Sequence, residues 1–168
     1  MAAEVSVYDN KGVRIFYPVS WTVQEDNLEE EAEVILITAP DESFWMLAMY
    51  PEGVEPDKAA KNILSIMTGE YEKIEEAPIK KYFGKRVLSG YEMNFFYLDL
   101  TSTAIVYGFE EGNRTYIVFH QTTDRMALVP ESESNAEVFE AMTCSFLDNL
   151  DMDASDFRGL LRQGSSDF

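Results

Sequence analysis

The chain has 168 residues, 46% of them hydrophobic and 13% aromatic, enough for one packed core and short for two domains. Its 31 acidic and 13 basic residues leave a formal charge of -18, which repels phosphates and anionic headgroups and argues against nucleic acid or a membrane surface as partner. No apolar run approaches the roughly 20 residues of a membrane span, and the single cysteine, Cys144, allows neither an intramolecular disulfide nor a zinc site built from thiolates.

In chain order, the first strands are expected at Val5–Tyr8 and Val13–Tyr17, joined by the turn Asp9-Asn10-Lys11-Gly12. Pro18 has no N–H to offer and stops the second strand, and the loop it opens returns Trp21 to the core as a large apolar anchor. The acidic run Glu25-Asp26-Asn27-Leu28-Glu29-Glu30-Glu31 reads first as a solvated loop, and second as a surface for a basic partner or a cation, with Glu29, Glu30 and Glu31 as its binding candidates. Strands follow at Glu33–Ala39 and Phe44–Tyr50 across the turn Pro40-Asp41-Glu42-Ser43.

From Pro56, a residue that a first helical turn accepts, Ala60, Ile63, Leu64, Met67 and Tyr71 recur at spacings of three and four and form the core-facing stripe of a helix. Lys85–Leu100, Thr103–Phe109 and Arg114–Gln121 are again strands, the last two joined by Glu110-Glu111-Gly112-Asn113, and connections this short suit antiparallel hairpins. Ser134-Asn135-Ala136-Glu137 has the pattern of a capping box, and Val138, Phe139, Met142 and Phe146 mark one side of a second helix that ends near Phe146. Phe44–Tyr50 and Tyr116–Phe119 are apolar at successive positions, so both faces of their sheet need cover. The expected architecture is α+β: a mainly antiparallel central sheet flanked by helices in an α/β/α sandwich. Were both helices on one face, the other would be left for a partner or for a second copy in a homodimer.

This order of elements resembles the PsbP/Mog1/DcrB-like fold family. The likeness rests on Tyr17-Pro18-Val19-Ser20-Trp21 as the strand-Pro-x-x-Trp opening, the Pro56–Tyr71 helix at the midpoint, Gly84 at the start of the second strand set, the hairpin Ile105–Phe109 to Thr115–Phe119, and the closing Thr143-Cys144-Ser145-Phe146. It spans about residues 5 to 147. The family includes photosystem II extrinsic proteins, Ran-binding factors, envelope lipoproteins and chaperones of secreted effectors, so the resemblance implies an adaptor. The start, Met1–Val5, shows neither a basic and apolar leader nor a lipidation cysteine, which departs from the envelope lipoproteins. The expected location is cytoplasmic, or the envelope or exterior should a leader precede the sequence. The domain is expected over 1–147, followed by an acidic tail over 148–168. Within the tail, Phe157, Leu160 and Leu161 stand at spacings of three and four; such a stripe either folds on a partner or docks on the chain's own sheet.

Catalytic signatures are missing: there is no Gly-x-Ser-x-Gly, no His-Glu-x-x-His and no glycine-rich phosphate loop. His120, the one histidine, shares a strand face with Tyr116 and Val118, where a lone histidine is more often a packed or surface residue than a general base. Asp148, Asp151, Asp153 and Asp156 have an acidic spacing that suits calcium, yet no glycine follows Asp151 at the sharp turn and Arg162 stands where a bidentate Glu is required. Lys80, Lys81, Lys85 and Arg86 around Gly84 read as solvated hairpin flanks, and Asn113-Arg114-Thr115 has the glycosylation pattern. The expectation is a non-catalytic protein-binding adaptor, assembly or chaperone-like factor, with no cofactor, no metal and a protein partner of basic surface. The alternative is a cation-dependent accessory factor or a hydrolase centred on His120.

Overall fold

The computed structural model describes residues 4–28, 32–51, 53–70, 74–84, 86–97, 100–112, 114–125 and 135–150. In chain order the elements are β1 (Val5–Asn10), β2 (Val13–Pro18), β3 (Thr22–Leu28), β4 (Ala32–Thr38), β5 (Phe44–Tyr50), α1 (Pro56–Glu70), β6 (Ile74–Phe83), β7 (Arg86–Tyr97), β8 (Leu100–Glu111) and β9 (Arg114–Arg125). A second helix, α2, covers 135–150. The chain divides into two compact units, one containing β1, β2 and α2 from Glu140 onward, the other running from Ser20 to Phe139.

In the first unit, β1 and β2 pair antiparallel from Val5↔Pro18 to Asn10↔Val13. Lys11 and Gly12 between them have φ of 56° and 81°, the left-handed backbone that lets a two-residue turn follow the twist of its strands. Pro18 is the last residue of the ladder, and Val19 closes the end by donating its N–H to the Glu4 carbonyl at 3.1 Å. Strand alternation buries Val13 and Ile15 and leaves Val5, Val7 and Phe16 exposed. On α2, Leu147 and Asn149 are buried along with Met142 and Phe146, and the helix continues to residue 150 instead of ending near Phe146.

The second unit is a seven-stranded sheet in the order β3-β4-β5-β9-β8-β7-β6, with every neighbouring pair antiparallel. Two of its strands differ from the sequence expectation. The acidic run is not a loop as far as Leu28 but the edge strand β3, and the other edge is β6, a segment with no assigned structure in the sequence. Both are edges with largely exposed side chains, so neither needs the apolar alternation by which a half-buried strand is recognised.

On one face of this sheet, Val34, Ala48, Met93, Phe95, Ala104, Val106, Ile117 and Phe119 form a cluster with Ala59 and with Ala60, Ile63 and Leu64 of the expected stripe of α1; Tyr71 of that stripe lies outside the described residues. The helix lies over β8, with β7 and β9 beside it. Its start is held by close contacts: a Cβ on Gly108 would stand 2.8 Å from the Pro56 carbonyl oxygen, so only glycine lets the backbones approach this closely. Thr115 donates its hydroxyl to the Val54 carbonyl, and Tyr91 donates to Asp57 Oδ1 at 3.2 Å. On the other face Ile35, Ile37, Trp45, Leu47, Val118 and Tyr107 are fully buried, which accounts for the doubly apolar character of β5 and β9. Trp21 is 9% exposed and meets the ring of Phe139 edge-on at 5.3 Å between centroids, the core anchor expected after Pro18.

Candidate functional site

The register of the first three strands of the sheet builds a recess on the face that carries α1. Asp26 stands opposite Val34, itself opposite Ala48, and Gln24 stands opposite Leu36, itself opposite Met46. Since α1 lies over β7, β8 and β9, these rows continue into a hollow of about 590 Å³ floored by Val34, Leu36 and Met46. Gln24 and Asp26 line it from β3, with Glu25 and Asn27 along the strand edge. Thr22, Gln24, Glu25, Asp26 and Asn27 are all exposed, and among the described residues no strand pairs with the outer side of β3. The site therefore combines an apolar floor, the Asp26 carboxylate and an open strand edge, with the Glu25 side chain alternating to the other face. A smaller recess of about 360 Å³ continues around the end of the strands past Asn27, Glu33, Met49, Tyr50 and Arg114, where Arg114 Nη1 donates to Met49 Sδ at 3.5 Å.

The opposite edge differs in chemistry. Pro78 sits in the middle of β6 and removes one ladder donor, while Glu75, Glu76 and Lys80 keep the strand charged and solvated. At the hairpin turn, Arg86 is not a free flank: it pairs with Glu111 at 2.6 Å and lies 5.8 Å from the Phe109 ring centroid. Lys81 stands 5.9 Å from the Phe83 centroid.

His120 is 7% exposed, on the face of β9 opposite the recess. Its ring lies between Phe139, at 5.4 Å between centroids, and Tyr107, at 6.5 Å. Burial, with the positive charge of Lys81 as the lesser cause, lowers its pKa from 6.5 to about 4. A ring so placed is neutral at physiological pH and packs at a tilt against its aromatic neighbours.

Glu29, Glu30, Glu31, Phe157, Leu160 and Leu161 lie outside the described residues, as do Asp151, Asp153, Asp156 and Asn113. Asp148 is exposed on α2 and Cys144 is half-buried there. Among the described residues, no group of three or more His, Cys, Asp or Glu is placed to hold a metal ion. No helix among them is long and apolar enough to cross a membrane. The recess has little signature in the sequence, because Leu36 and Met46 look like ordinary strand interior until β3 is set beside them; Thr22 and Val23, β-branched and next to Trp21, are a local signal for that strand. The chain matches no protein-family model and no curated protein sequence.

Proposed function

We propose that the protein is a non-catalytic protein-binding adaptor, assembly or chaperone-like factor, built as an α/β/α sandwich of the PsbP/Mog1/DcrB kind. Support for the architecture comes, within the second unit, from α1 packed on β7–β9 and from Phe139 against His120 on the opposite face. The functional reading is carried by the recess beside β3, where half-buried Leu36 and Met46 lie next to exposed Asp26, with Glu25 following on the outer strand edge. Apolar floor with charged rim is the composition by which protein surfaces hold protein partners. The alternative centred on His120 draws less support, because a ring that binds a proton only near pH 4 is a poor general base at neutral pH.

Site-specific photo-crosslinking in the intact chain tests this reading. A photoreactive residue at Met46 is expected to capture a protein, whereas the same group at Tyr82, exposed on β6, is expected to capture none. Absence of protein adducts from both positions would overturn it.

A further inference from the structure

We propose that β3 takes up an extended, basic segment of a partner protein as an added strand of the sheet, an inference that rests on the protein-binding reading above. An edge strand presents a row of backbone N–H and C=O groups to its open side, and an extended peptide satisfies them by continuing the ladder. Of the two sheet edges, β6 is interrupted by Pro78, whereas the seven residues of β3 contain no proline.

Side-chain alternation sets the composition of the segment. Residues pointing to the α1 side of the sheet would lie beside Gln24 and Asp26, over Leu36 and Met46; residues pointing the other way would lie beside Val23 and Glu25. Long apolar or amphipathic side chains fill the recess, and Lys or Arg stands across from each carboxylate, the pairing that stabilises neighbouring strands. The net charge of -18 adds long-range attraction for such a segment. A second copy pairing β3 with β3 antiparallel along its full length would instead set Glu25 directly against its own copy, and like charges directly across a ladder are destabilising.

The test uses the full chain and a peptide of the repeat Lys-Lys-Val-Val, which puts a lysine and a valine in turn on each face, about eight residues long to match the strand. Binding is followed by fluorescence anisotropy, with folding of each variant checked by circular dichroism. The double variant Glu25→Lys, Asp26→Lys is expected to weaken binding by about tenfold or more, whereas Glu75→Lys, Glu76→Lys on β6, with the same change in net charge, is expected to weaken it by less than about threefold. The same peptide with its backbone amides N-methylated keeps its charge but cannot join a ladder, and is expected to lose about tenfold or more in affinity. Equal effects of the two double variants, or equal affinity of the methylated peptide, would overturn the proposal. Oligomers on light scattering that disappear in the Glu25→Lys, Asp26→Lys variant would overturn it too, by putting the β6 edge of a second copy in the peptide's place. Strand addition failing while cross-links from position 46 persist removes this inference alone; loss of those cross-links removes the protein-binding reading with it.

Discussion

Acidification between about pH 6.5 and about pH 4 is expected to destabilise the protein through His120, and a His120→Leu variant is expected to lose that part of the response. In the folded chain burial holds the imidazole neutral down to about pH 4, while in the unfolded chain it binds a proton near its ordinary 6.5. The unfolded state thus takes up more protons across this window, so the stability His120 contributes is complete above it, falls as the pH drops through it, and changes no further below it. A shift of this size corresponds to about 3 kcal/mol over the whole window, at most about 1.4 kcal/mol per pH unit. The two proteins differ only at position 120, so the difference between their stability curves isolates the histidine. Urea denaturation followed by Trp fluorescence gives the two stability curves. Since His120 is the one histidine, its imidazole proton resonance reports the folded-state pKa directly. A midpoint near 6.5, or stability curves that stay parallel through the window, would refute the packing assigned to this ring.

Phe139→Ala removes the ring that meets both Trp21 and His120, and is expected to cost about 3–5 kcal/mol in urea denaturation, shift Trp21 fluorescence to the red and raise the His120 pKa toward 6.5. Gly108→Ala drives a methyl into the Pro56 carbonyl and is expected to cost about 1–3 kcal/mol, read from the urea midpoint. Thr115→Val leaves the Val54 carbonyl without its hydroxyl donor and is expected to cost about 1–3 kcal/mol. Because both changes act on the entry to α1, their combination is expected to be less than additive.

Where the chain is buried, its local pattern announces its structure. The double-sided apolar runs of β5 and β9 have burial on both faces, Pro56 opens α1, and Trp21 returns to the core three residues after Pro18. The edges of the sheet are less legible: Gln24-Glu25-Asp26-Asn27 and Glu75-Glu76-Ala77-Pro78 are exposed in their strands and carry the composition of loops. The end of α2 is obscured for a related reason, since Asp148 and Asn149 look polar although Asn149 is buried with its amide donated to the Ser145 carbonyl at 2.8 Å. The recess is legible only in part. Its acidic rim stands out as a charge run, but its floor comes from Leu36 and Met46 on the next two strands, and their alignment with Gln24 is a matter of pairing register that no local pattern states.

Amide hydrogen exchange of the intact chain, with and without the lysine-valine peptide, tests the central claim most directly. Slowed exchange over Thr22–Leu28, with β6 unchanged, is the result expected if the partner continues the sheet from β3. Protection that falls on β6 or α1 while β3 exchanges as before would contradict it.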